Sequence, residues 1–216
     1  MAALADTLAR LPRAPFTVTF GRPDGADWFD CDALDRVALD AWKEAVDRDH
    51  RRLYGRTAPA AAAGHLLAYY AEIPATVGAR CLRLDRRVPR LDREALSFRR
   101  RTDAVTPDAA AVRSPVFWCL PGDPAADSDH ATVLADEQAL AERLRRELDD
   151  HAEAFLTVFD AGRLLPRRTL RGAFPDALDA ALGRQRTYRV SCCYYHHVSV
   201  GGATCATCPR RAGGEC

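Results

Sequence analysis

Five cysteines crowd the last stretch of this 216-residue chain, in the string RVSCCYYHHVSVGGATCATCPRRAGGEC. Four of them form a pattern: an adjacent pair, Cys192-Cys193, then eleven residues, then Cys205-x-x-Cys208. Thiolate is a soft ligand that suits zinc, copper(I) or iron–sulfur centres. A two-residue gap lets the sulfurs of Cys205 and Cys208 turn toward one metal while the amides between them point inward. Pro209 follows at once and stiffens the exit, and a Cys-Pro ending also occurs in bacterial ferredoxin ligand runs. Gly201 and Gly202 allow positive φ and a close backbone approach. Cys192, Cys193, Cys205 and Cys208 are therefore the expected cofactor and metal ligands. Amide donors near their sulfurs would raise the reduction potential of a cluster.

Two other thiol chemistries compete. Zinc ribbons use two pairs, each spaced by two to four residues. Here nothing separates Cys192 from Cys193, and adjacent side chains diverge in extended backbone. A two-iron core accepts sulfurs that start farther apart, which favours iron–sulfur over zinc without removing zinc. Cys205-Ala206-Thr207-Cys208 also fits the spacing of a redox-active dithiol. Such a site should follow a strand and open a helix, and only eight residues follow Cys208. Cys216 is a fifth thiol with no assigned role. Histidine replaces cysteine in some two-iron centres. With four cysteines available, His196 and His197 read as neighbours of the cluster, and Tyr194 and Tyr195 as packing against its loop.

The rest of the composition is less specific. Net charge is +1, which gives no global pull toward nucleic acid or an anionic membrane. Lys43 is the one lysine among 31 basic residues. An arginine excess of that kind reflects codon composition rather than phosphate recognition. The N-terminus lacks an apolar secretion core, and no apolar run reaches the ~20 residues of a membrane span. The chain reads as cytoplasmic, where eight cysteines are not a disulfide framework. Cys31, Cys81 and Cys119 are scattered. There is no Gly-x-Gly-x-x-Gly fingerprint after a strand, so electrons are expected from a separate protein rather than directly from NAD(P)H.

The elements that must position the cysteines are mostly helical. Residues 16–20 alternate as a short strand. Leu34, Val37, Ala38, Ala41, Trp42 and Ala45 fall at helical spacing over 31–47. A second helix is predicted over 58–72, ended by Pro74. Residues 96–98 and 116–120 read as strands, and 121–130 as a loop. Leu140, Leu144, Leu148, Ala152, Phe155 and Phe159 make one apolar stripe over 134–160, and a shorter helix is expected over 173–183. The expected class is α+β: a mostly helical domain over 1–183 with a short antiparallel β segment, then a cluster-binding segment over 184–216.

The residues Arg189-x-Ser191-Cys192-Cys193-x-Tyr195, a glycine-bearing loop, and Cys205-x-x-Cys208-Pro209 together resemble the C-terminal signature of FhuF-type ferric-siderophore reductases. The resemblance covers about residues 189–209. It implies a 2Fe-2S cluster on Cys192, Cys193, Cys205 and Cys208. It also implies reduction of siderophore-bound Fe(III) in the cytoplasm, near the inner membrane face, with release of Fe(II). The implied partners are a ferric siderophore and an electron donor, either a ferredoxin or an NAD(P)H-dependent reductase. Arg184, Arg186, Arg189, Arg210 and Arg211 flank the cysteines. They would neutralise an anionic cluster or dock an anionic partner. The alternatives are an iron or redox sensor, an electron-transfer module without reductase activity, and a structural zinc protein.

Overall fold

The computed structural model describes residues 3–12, 16–184 and 187–213. The chain folds into two compact units, each assembled from segments distant in sequence. One comprises Met1–Ala33 with Ile73–Ala154, the other Leu34–Glu72 with Phe155–Cys216. The division expected near residue 184 is not the one the fold adopts. Residues 187–213 belong with helices that lie more than 100 positions upstream.

The first unit holds the strands. Its elements are α1 (Ala3–Ala9), β1 (Thr17–Phe20), β2 (Trp28–Asp30), β3 (Val88–Pro89), β4 (Leu96–Arg99), β5 (Ala109–Val112), β6 (Phe117–Cys119) and β7 (Ala131–Val133). A four-stranded sheet runs β1-β5-β4-β2 and a three-stranded sheet runs β3-β6-β7. Both are mixed: β1 pairs β5 in parallel and β6 pairs β7 in parallel, while the other pairs are antiparallel. The class is α+β as expected. β5 was not foreseen, because Ala-Ala-Ala-Val carries little strand propensity. All four of its residues are buried, as a central strand requires. Arg87 holds Asp123 by two hydrogen bonds of 2.7 and 2.5 Å and stacks on Phe117.

Two long helices begin in one unit and end in the other: α3 (Pro59–Asp85) and α4 (Glu137–Leu156). Pro59 takes the first position of α3, where its missing N–H costs nothing. Pro74 does not end α3, contrary to expectation. A proline inside a helix removes one backbone bond, at about 3 kcal/mol. Here Ile73, Ala75, Val77, Ala79 and Cys81, all 0% exposed, bury enough apolar surface to carry the helix on for eleven residues after Pro74. Gly78 gives up a side chain because Leu144 of α4 occupies the space a Cβ would need.

The second unit contains α2 (Arg36–Tyr54), the first half of α3, α5 (Arg167–Ala181) and the cysteine segment. Asp35 caps α2 by accepting from Ala38 N at 2.8 Å, and Gly55 closes it at φ +66°. Its core is aromatic. Tyr70 stacks on Phe155 at 3.8 Å between ring centroids, Phe159 stacks on Phe155, and Phe174 meets both Tyr70 and Phe155 edge-on. Phe159 lies beyond the end of α4, three residues past its last turn, yet stays buried.

Candidate cluster site

Among the described residues, the cysteine segment has no regular secondary structure beyond three 3-10 turns, Tyr195–His197, Val200–Gly202 and Pro209–Ala212. Part of its backbone bonds within the segment, as His197 N does to Tyr194 O and Cys208 N to Cys205 O, and part is satisfied by side chains of α5. Asp176 of α5 supplies the main anchor. Its carboxylate accepts from Val190 N at 3.0 Å, Ser191 N at 2.7 Å and Ser191 Oγ at 2.6 Å. Thr169 Oγ1, also on α5, accepts from Cys192 N at 3.4 Å. Arg189 N donates to Thr207 O at 2.9 Å, which ties the stretch before Cys192 to the turn between Cys205 and Cys208.

Two glycines let the segment come close. A Cβ on Gly172 of α5 would sit 2.8 Å from Val190 Cγ1 and 3.0 Å from Ser191 N. A Cβ on Gly64 of α3 would sit 3.2 Å from Cys193 O and 3.4 Å from Tyr194 Cδ2. Between these contacts the chain reverses through Tyr194, which holds φ +57° although it is not glycine. A tyrosine in the left-handed region stores strain that the surroundings must hold in place, and Tyr194 is 5% exposed.

Cys193 Sγ and Cys205 Sγ lie 3.9 Å apart. One guanidinium nitrogen of Arg189 donates to both sulfurs, at 3.2 Å and 3.1 Å. Cys208 is buried and its N–H bonds Cys205 O at 3.1 Å. Cys193, Cys205 and Cys208 are free thiols, whereas Cys192, also buried, is disulfide-bonded. The structure thus brings two of the four expected ligands together. Among the described residues, no three His, Cys, Asp or Glu side chains converge as a metal site. Cys216 and Arg186 lie outside the described residues.

The donor set nonetheless fits a thiolate-bound metal. Two thiolates on one tetrahedral ion, with bonds of about 2.3 Å, sit about 3.8 Å apart. Cys193 and Cys205 already have that separation. Arg189 Nε is buried without a hydrogen-bond partner, and the hydrogen bonds of this guanidinium go to the two sulfurs. Ligation by all four cysteines requires Cys192 as a thiolate, which would take two-electron reduction of its disulfide by an external thiol. The cysteines of the other unit are a different population. Burial pushes the Cys81 thiol up to about 12, with Asp85 adding to the effect, and burial followed by Asp123 raises Cys119. Both stay protonated and serve as packing.

Imidazoles line the α2–α3 side of the same unit. His50 and His65 share a 2.7 Å contact between Nε2 and Nδ1. Burial, with Arg189 as the second cause, lowers His65 to about 4. Burial also lowers His50, with His65 contributing. Both rings are therefore neutral at neutral pH, and the charge beside the sulfurs is that of Arg189. Burial pushes Tyr69 up to about 12. His196 accepts from Arg210 at 3.0 Å and is lowered by burial, then by His197 and Arg210. Nothing places either of these two histidines on the Cys193–Cys205 pair. A half-open cavity of ≈500 Å³ borders the site, lined in part by Asp179, Gly183, Arg184, Arg189 and Thr207.

Asp176, Gly64 and Gly172 were missed from the sequence. An isolated glycine inside a helical pattern was the available cue for the last two. Nothing local marks Asp176, whose partners lie 14 and 15 residues away.

The site is a thiol-rich loop pinned between helices, with two sulfurs at the spacing of a shared metal and a cation bridging them. Residues 189–210 match the family model described as FhuF 2Fe-2S C-terminal domain. Comparison with curated proteins and with solved structures gave no match. Among the described residues, no helix is long and apolar enough to cross a membrane.

Proposed function

We propose that this chain is an iron–sulfur ferric-siderophore reductase, passing one electron to chelated Fe(III) and releasing Fe(II). The observation that carries the reading is the match over 189–210 falling on the segment where Cys193 and Cys205 are paired under Arg189. Cys192, Cys193, Cys205 and Cys208 would hold the 2Fe-2S cluster, which when bound supplies one-electron chemistry.

The chain's own residues do the rest. Asp176 and Thr169 fix the backbone that presents Cys192 and Cys193. Arg189 offsets the negative charge that four thiolates bring. Arg184, 53% exposed and loosely paired with Asp179 at 3.8 Å, and the exposed Arg210 and Arg211 give the surface near the site a positive edge. The cavity beside Arg189 offers room for part of an oxygen-rich ferric complex. Siderophores grip Fe(III) through hard oxygen donors. Fe(II) carries less charge and binds those oxygens far more weakly, so one electron is enough to release it. The electron donor would be a separate ferredoxin or NAD(P)H-dependent reductase.

The test is anaerobic purification with assay of iron, acid-labile sulfide and the visible spectrum. Dithionite-reduced protein is then mixed with ferric hydroxamates and catecholates while a ferrous chelator reports release. A colourless protein carrying stoichiometric zinc would falsify the cluster. A loaded protein that reduces none of the complexes would leave the sensor or electron-transfer reading.

A further inference from the structure

The Arg189 side chain is half-buried, its Nε has no partner, and a single terminal nitrogen donates to Cys193 Sγ and Cys205 Sγ. Those two sulfurs are 3.9 Å apart, the separation of two thiolates on one tetrahedral ion. Cys208 is 2% exposed, and neither it nor the buried Cys192 receives a hydrogen bond from Arg189 in this arrangement. The two halves of the ligand set therefore sit in different surroundings. One half is partly exposed and bridged by a cation, and the other is buried.

Resting on the cluster reading above, we infer that Cys193 and Cys205 share one iron, and that Arg189 makes this iron the one that accepts the electron. Reduction of a 2Fe-2S cluster adds one electron to a pair of Fe(III) ions and turns one into Fe(II), raising the negative charge by one. Hydrogen bonds to sulfur and a nearby cation favour the more negative state. Both act here on the Cys193–Cys205 side. Cys193 and Cys205 are partly exposed while Cys192 and Cys208 are buried, so an electron from the donor protein would be held on the side that a bulky ferric complex can approach.

The experiment compares wild type with Arg189→Gln and Arg189→Lys by iron and sulfide content, by redox titration followed in the visible spectrum, and by EPR of the reduced state. At full loading, Arg189→Gln lowers the reduced-to-oxidised ratio at fixed ambient potential by about tenfold or more, and Arg189→Lys, which keeps the charge but not the fork, by less. Cys193→Ser and Cys205→Ser perturb the reduced-state EPR signal alike, and Cys208→Ser perturbs it differently. Full loading with an unshifted potential overturns the role of Arg189. Identical EPR perturbation by all three serine variants overturns the shared iron. Cluster loss from both arginine variants, with wild type loaded, also overturns it, because Arg189 would then hold the loop and not set the potential. Wild-type protein that takes up no iron and sulfide brings down the function reading itself, a result distinct from the others.

Discussion

Replacing Asp176 by asparagine tests whether one carboxylate holds the cysteine segment in place. Asp176 is 7% exposed and accepts three hydrogen bonds, two of them from backbone N–H groups of Val190 and Ser191. Both oxygens are used: Oδ1 by Val190, Oδ2 by Ser191 twice. Asparagine keeps one oxygen and puts an NH2 in place of the other. With its oxygen toward Ser191, the amide faces the Val190 N–H donor to donor, and that part-buried donor is orphaned at ~1–3 kcal/mol. The two surviving bonds lose their charge assistance, which adds a comparable amount. The sum is about 3 kcal/mol, and in a chain of this size each kcal/mol moves Tm by about 2–4 °C. The Asp176→Asn variant should therefore melt roughly 6–12 °C below wild type. It should also hold less iron and sulfide per chain, because Cys192 and Cys193 follow Ser191 directly. Ser191→Ala removes one bond and should cost about a third as much. The assay is a thermal melt paired with iron and sulfide analysis. A Tm within about 1 °C of wild type with full iron content would show that packing, not Asp176, sets the segment's position.

Gly172→Ala gains helix propensity of about 1 kcal/mol but overpacks against Val190 and the Ser191 backbone, at about 1–3 kcal/mol. It should lower both Tm and cluster content. Gly64→Ala meets its nearest atoms at 3.2–3.4 Å and should be close to neutral, so the two variants measured side by side separate crowding from propensity. His151 is buried, donates to Leu91 O at 2.5 Å, and is lowered to about 4 by burial. The unfolded chain binds the proton near 6.5, so between pH 6.5 and 4 it holds more protons than the native state. Stability is complete above pH 6.5 and falls as pH drops toward 4, by about 3 kcal/mol from this residue. Urea melts at pH 7 and 5 should show the loss, and His151→Gln, which keeps a donor and does not titrate, should reduce it. Serine at Cys193 or Cys205 should abolish or alter the visible chromophore, while Cys31→Ala, remote in sequence and buried in the other unit, should keep it.

The helices were legible where periodicity was strong. The stripe from Leu140 to Phe155 predicted α4, though the expected 134–160 overshot the observed Glu137–Leu156 at both ends; Phe159 continues the apolar pattern while leaving the helix. The cysteine spacing pointed to the segment where sulfur pairing occurs. Pro74 misled because a local rule ignores the burial that outweighs it. β5 was invisible because Ala109–Ala111 reads as helix former or linker, and only pairing with β1 on one side and β4 on the other makes it a strand. Arg189 was one of five flanking arginines in the sequence. Its bridging position depends on Cys193 and Cys205 meeting, which no local pattern encodes. The Cys192 disulfide departs from the reading of all these cysteines as thiols.

The anchoring of residues 190–193 by Asp176, Thr169, Gly172 and Gly64 bears on how portable the cysteine motif is. A peptide of the last thirty residues would keep every sulfur yet lose the acceptors and the gaps that shape its backbone. Grafting the motif onto another scaffold would therefore mean transplanting faces of two helices with it. During synthesis, the loop cannot reach this arrangement until residues emerging late from the ribosome return to a helix completed more than a hundred residues earlier.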